Sequence, residues 1–290
     1  MNLNSNQNVN VMNQNGEATE EVTVLNQTQA HPIRTNKYSV VTTNNVIGQL
    51  EETGLTWKKV AEENNTPKYK GFGTHLIRCT HPGFIFGDDK LDAVFKPQAY
   101  IRNSYHGRTC FELHVALFDE RNMKGFILGN KFKTIKIKHI GLSKEEVEAV
   151  IGQMKDIFVG EVAPYLKSLS EVKIGESERN KFAEAILRER CRLNLNFIKG
   201  EHVKLLNGLK VDTSGLASLW DVLEVVKDNC GLEFRSTPAD ICYEYTGKDK
   251  DGNNVLKDRK ISKLKNIQEV TYMNKFLFDK ISEYIPTSSK

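Results

Sequence analysis

The amino-acid sequence predicts an α+β protein: an antiparallel sheet of about five strands over residues 36–141, then a mainly helical half over 142–290 that packs on it. Three observations carry this expectation. Two stretches between Val94 and Leu117 alternate with period two and are joined by a short turn. A strongly basic stretch, Arg121–His139, continues the strands. From Ser143 onward, apolar residues recur at the three- and four-residue spacing of a helix.

Residues 1–35 are rich in Asn, Gln, Thr and Val with few charges, and read as a disordered leader. Order is expected from a short strand over Tyr38–Thr42, followed by a helix that Asn44 or Asn45 caps and that runs through Glu51. A segment containing Trp57 comes next, then a loop at Asn64–Pro67 and a strand over Gly71–Arg78. His81-Pro82-Gly83 and Gly87-Asp88-Asp89 are turns.

The alternating stretches place Phe95, Ala99 and Ile101 on one face, and Lys96, Gln98, Tyr100 and Arg102 on the other. That pattern predicts a half-buried strand whose polar face meets solvent or a partner. Ser104-Tyr105-His106-Gly107 is a hairpin connection in which Gly107 takes positive φ. The next strand turns Phe111, Leu113, Val115 and Leu117 one way and Cys110, Glu112 and His114 the other, and the two strands should pair antiparallel.

Arg121, Lys124, Lys131, Lys133, Lys136 and Lys138 follow one another without an acidic residue after Arg121. Lys131 and Lys133 differ in parity from Lys136 and Lys138, so one unbroken strand would split them between faces. A bulge near Thr134-Ile135 would gather all four and keep Ile135 and Ile137 toward the core with Phe132. Such a lysine row either guards an edge strand against aggregation or tracks a phosphate backbone.

Ser143 and Glu146 form a capping box for a helix with Val147, Val150, Ile151, Met154, Phe158 and Val162 on its apolar stripe, which Pro164 should kink or interrupt. A second helix is expected over Ser177–Lys199 with Phe182, Ile186, Leu187, Cys191 and Leu195 inward. A third should open at Thr213 or Ser214 and bury Trp220. Lys248–Asn254 is a polar turn that brushes the calcium-loop pattern. Gly247 stands where the first carboxylate belongs and Asp258 where the bidentate glutamate belongs, so calcium is rejected. A basic stretch, Lys257–Lys265, precedes a final helix with Ile267, Val270, Met273, Leu277, Ile281 and Ile285 inward.

A net charge of +4 permits a polyanionic partner without demanding one. The Asn-rich start lacks the basic-then-apolar order of a secretory signal, and no apolar run approaches the roughly 20 residues that span a bilayer, so a cytoplasmic location is expected. The five cysteines are scattered with no Cys-x-x-Cys spacing, and His75, Cys79 and His81 have no second ligand cluster; no metal or cofactor is expected. Phosphate loops, serine elbows and the His-Glu-x-x-His pattern are all absent. His106, Glu112, Asp119 and His139 would have to converge to make a metal-dependent nuclease.

Asn103-Ser104-Tyr105-His106-Gly107, Arg121–Gly141 with its Lys138-His139 end, and Ser218-Leu219-Trp220 resemble a phage- and plasmid-associated family known as domain of unknown function 932. The order within the turn departs from that family's pattern, and Arg121-Asn-Met-Lys-Gly lacks its cysteine. The resemblance implies a mobile-element setting and no settled activity. The succession of antiparallel strands and a long helix is similar in element order to the annealing proteins Red beta and RecT. The leading expectation is therefore a nucleic-acid-binding protein of phage or plasmid DNA metabolism that favours single-stranded DNA, with annealing and homo-oligomerisation as its further expectations. Lys131, Lys133, Lys136 and Lys138 would neutralise phosphates, with Lys96, Arg102 and Arg121 beside them and Tyr100 stacking on bases. An interaction module that acts on a host protein is the alternative, and the nuclease is the third reading.

Overall fold

The protein is an α+β structure built on a curled antiparallel sheet. The computed structural model describes residues 24–34, 40–52, 56–63, 67–80, 86–88, 93–107, 109–119, 124–128, 134–137, 157–191 and 201–286. Helix α1 (Thr43–Glu52) leads into β1 (Thr56–Glu62) and β2 (His75–Thr80). Then come β3 (Phe86–Asp88), β4 (Ala93–Asn103), β5 (Phe111–Asp119), β6 (Lys124–Ile127) and β7 (Thr134–Ile137). The main path is β1-β2-β4-β5-β6. The long β4–β5 pair is its spine, with Ile101 opposite Leu113 and Tyr100 opposite His114 as the alternation requires. One edge of β4 is shared by β2 and β3 at its two ends, and one edge of β5 by β7 and β6.

Helices from the C-terminal half cover the sheet. A π-helical turn (Phe158–Val162) precedes α2 (Ala163–Glu171). Pro164 lies in the first turn of α2, and the helix passes from the π-helical turn into α2 without a break, Val162 keeping helical angles (φ −73°, ψ −45°), so the proline marks a change of helix type and not an interruption. Strand β8 (Lys173–Ile174) and α3 (Glu176–Cys191) follow. The short β9 (Ala217–Ser218), which pairs with β8, leads directly into α4 (Leu219–Asn229). A hairpin of β10 (Cys242–Lys248) and β11 (Asn254–Lys260) separates α4 from α5 (Ile267–Ser282).

The main core joins Ile77, Ala99, Ile101, Phe111, Leu113, Val115 and Phe126 of the sheet to Phe182, Ile186, Trp220, Leu223, Leu277 and Phe278 of the helices. Fully burying a side chain of this size contributes about 1.5–3 kcal/mol, so this layer dominates the stability. The opposite face carries a smaller cluster of Ala61, Leu76, Tyr100, Ala116 and Ile127, sealed by Ile267 and flanked by Phe234. Both faces of the β4–β5 spine are therefore buried, which corrects the expectation of a polar face open to solvent. The curl of the sheet folds that face inward, and the start of α5 closes it through Glu63 Oε1, which accepts a hydrogen bond from Ile267 N–H.

Several local expectations change. Val40–Thr42 is irregular rather than a strand. The third C-terminal helix starts at Leu219 and not at Thr213 or Ser214, because Asp212 Oδ1 accepts hydrogen bonds from the N–H groups of Ser214 and Leu216 and Gly215 turns to φ +73°. That Asx turn competes with helix, and Ser218 caps the true start by accepting from Asp221 N–H. Part of the expected leader is ordered: Val24 is buried and His31 packs against Tyr69 and Phe72. The capping box at Ser143 and the stripe up to Met154 lie outside the described residues.

Candidate nucleic-acid interface

The structure separates the eight residues nominated for nucleic-acid contact. Tyr100 is buried on the inward face and lies over Gly125, whose lack of a side chain leaves room for the phenol. Burial pushes its hydroxyl up to about 12, with Arg78 and Glu233 as the nearest charges. Arg102 is equally buried, and its guanidinium sits 2.8 Å from the Glu112 carboxylate. Neither side chain is free to stack on a base or hold a phosphate, and both assignments are corrected. Their strand does alternate, but the sheet curls around the polar face instead of presenting it.

Lys96 occupies the β4 position opposite Phe118, and Lys136 the β7 position opposite Glu112. Ile135 and Ile137 pair with Leu113 and Phe111 in regular register. Arg121, Lys131, Lys133 and Lys138 lie outside the described residues, and so does any bulge before Thr134.

The nuclease set does not assemble. Glu112 and Asp119 stand seven residues apart on β5, roughly 23 Å at the strand rise. His106 sits beyond the far end of the β4–β5 hairpin, with its ring 5.5 Å from that of Tyr69. His139 lies outside the described residues. Among the described residues no group of three or more His, Cys, Asp or Glu side chains is arranged to hold a metal.

The turn at Asn103–Gly107 is structural. Asn103, Ser104, Tyr105 and His106 are all buried, and Gly107 has the predicted positive φ of 66°. Asn103 Nδ2 donates to Val41 O and Thr43 Oγ1, and Tyr105 Oη accepts from Thr43 N–H, so the turn holds the start of α1. Tyr105 O accepts from His31 N–H and His106 O from Arg34 Nε, which fastens the segment before α1. His75 Nε2 completes the network 2.7 Å from Thr43 Oγ1 and stacks on Tyr105. Burial lowers its pKa from 6.5 to about 4, so the ring is neutral.

The C-terminal half supplies a more open basic element. From Cys242 to Lys265 there are seven cations, Lys248, Lys250, Lys257, Arg259, Lys260, Lys263 and Lys265, against four acids, Glu244, Asp249, Asp251 and Asp258. All seven cations are exposed, and along β11 only Val255 is partly covered. The ribbon is roughly 20 Å long and turns at Asp249, whose Oδ1 accepts from the N–H groups of Asp251 and Asn253. Cross-strand register sorts its two faces. Tyr243 lies opposite Arg259 and Tyr245 opposite Lys257, and the face they share contains no acid. Glu244 and Asp258 oppose each other on the other face, with Cys242 and Lys260 beside them. At the base, Tyr243 packs partly on the main core and anchors the ribbon.

The sequence signal for this element was the basic stretch Lys257–Lys265. The strands around Asp249–Asn253 escaped notice because charged residues interrupt the period-two pattern of apolar ones. No helix among the described residues is long and apolar enough to cross a membrane. No protein-family model matches the chain, and no solved structure matches it.

Proposed function

We propose that this protein binds single-stranded nucleic acid, with the β10–β11 ribbon as the contact element. The acid-free face of that ribbon carries the reading: Lys257 and Arg259 are exposed on it, in cross-strand register with Tyr245 and with Tyr243, the core anchor. Exposed cations bind phosphates without precise geometry, and aromatic rings stack on any base, which is the combination single-strand binders use. The cations at Lys263 and Lys265 extend the basic surface toward α5. The sequence resemblance to a phage- and plasmid-associated family supports a setting in phage or plasmid DNA metabolism.

A fluorescent single-stranded oligonucleotide titrated with the full chain in EDTA, at low and moderate salt, tests the idea. Salt-sensitive binding is expected, and it should fall by at least about tenfold in Lys257→Glu/Arg259→Glu. Because both positions are exposed, the variant should keep the fold of the parent. Equal affinity of parent and variant would remove the ribbon from the interface. Tighter binding of duplex than of single strand would reject the stacking component.

A further inference from the structure

We infer that Arg235 is a second nucleic-acid contact: its guanidinium, lying over the Phe234 ring, stacks on a base of a single strand that leaves the foot of the β10–β11 ribbon, while Lys263 and Lys265 meet the adjoining phosphates. The inference rests on the single-strand reading above and adds to it a position off the ribbon. Among the described residues, positive φ belongs to six glycines and to Arg235, at 60°. Everywhere else the chain uses glycine for this conformation, which a residue with a Cβ adopts only at a cost. Strain of this kind collects where a side chain has a task and the surroundings enforce it. Here the loop does so. Ser236 N–H and Oγ both donate to Glu233 O, at 3.1 and 2.9 Å, and Glu233 N–H donates to Ser236 Oγ at 3.2 Å. Arg235 N–H itself donates to Leu264 O at 2.8 Å.

What the conformation secures is a fixed place for an exposed charge. The guanidinium carbon lies 5.0 Å from the centre of the Phe234 ring, and Phe234 in turn packs on the cluster sealed by Ile267. Arg235 is exposed, and its guanidinium has no ion pair or hydrogen bond among the described residues. A guanidinium plane held on an aromatic ring is a stacking surface for a base, and its free N–H groups suit phosphate oxygens. The bond to Leu264 O sets Arg235 beside the chain at Lys263 and Lys265, which are exposed on either side of the buried Leu264. Arg190 fastens the same segment by donating from Nη2 to Ser262 O. From Lys260, the end of β11, to Leu264 the chain spans at most about 14 Å, so these cations continue the ribbon's basic surface. The two acids of the loop between α4 and β10 are already engaged: Glu233 by Lys227 at 2.8 Å and Asp240 by Lys260 at 2.8 Å.

Titration of a fluorescent single-stranded oligonucleotide with the full chain in EDTA decides the matter through Arg235→Gly. Glycine suits the left-handed conformation, so the melting temperature of this variant should equal or exceed that of the parent. Its affinity should nevertheless fall about tenfold, the worth of one stacked base. Arg235→Lys keeps the charge but not the plane and should lose nearly as much. Lys263→Gln/Lys265→Gln should reduce the slope of log affinity against log salt by about 1.4, two phosphates at about 0.7 each. If Arg235→Gly melts below the parent, Arg235→Asn, which also tolerates positive φ, takes its place with the same expected loss. Suppose the parent binds and Lys257→Glu/Arg259→Glu weakens that binding. Unchanged affinity in Arg235→Gly or Arg235→Lys, or an unchanged salt slope in the lysine variant, would then overturn this inference and leave the ribbon standing. A parent that binds no oligonucleotide at low salt would overturn both.

Discussion

Arg102 and Glu112 face each other across β4 and β5, and their side chains meet at 2.8 Å inside the curled sheet. Desolvation makes such a pair expensive to assemble and more expensive to break. Glu112→Gln leaves the guanidinium buried without its anion and should destabilise the fold by about 3–5 kcal/mol. Combining it with Arg102→Met should recover most of that loss. Urea denaturation of the two single variants and the double variant measures the coupling; additive losses would show that the pair is not a unit.

Acid should weaken the fold through two histidines. Burial lowers both His75 and His114 from 6.5 to about 4. The unfolded chain therefore takes up protons that the folded protein refuses as the pH drops from about 6.5 toward 4. The stability is complete above that window, declines through it, and levels off for these groups below about 4. A shift of this size is worth roughly 3 kcal/mol per ring. Denaturation midpoints at neutral and mildly acidic pH measure it, and a flat profile would show that the rings are not held neutral.

Gly125 on β6 is the seat of the Tyr100 phenol. A methyl group there would collide with Tyr100 Oη. Gly125→Ala should cost about 1–3 kcal/mol as the ring or the β6 backbone gives way. Tyr100→Phe should relieve part of the strain while leaving the ring carbon Cζ, 3.2 Å from the added carbon, still tight. The test is a thermal-denaturation cycle over the four combinations, and simple additivity would place the ring elsewhere.

Ser218 and Ser214 make opposite predictions for the start of α4. Ser218→Ala removes the cap that accepts from Asp221 N–H and should cost about 1 kcal/mol. Ser214→Ala, at the start that the sequence nominates, should stay within about 0.5 kcal/mol of the parent. Reversal of that order in urea titrations would restore the longer helix.

The α+β class, the β4–β5 hairpin, the positive φ at Gly107 and the last helix were legible because each rests on local periodicity or a local turn. Ile267, Val270, Met273, Leu277 and Ile281 are all buried as their spacing requires. The destination of Tyr100 and Arg102 was not legible. Alternation shows that two faces differ, but the curl of the sheet and the approach of α5 decide which of them sees water, and both are long-range. Gly215 illustrates the converse: Asp212 and the glycine announce a turn, yet the neighbouring apolar residues fit a helical stripe well enough to hide it.

The turn at Asn103–Gly107 has a consequence for how the chain reaches this structure during synthesis. Thr43 waits for Tyr105 across 62 residues, and Arg34 for His106 across 72. At roughly 5–20 residues per second, ribosomes expose the first partner several seconds before the second. For that interval the early segment has only its contacts with Lys68, Tyr69, Phe72 and His75, and its attachment to the turn waits for the β4–β5 hairpin. A nascent chain stalled before residue 103 should therefore leave residues 24–34 more open to proteases than a chain released past β5.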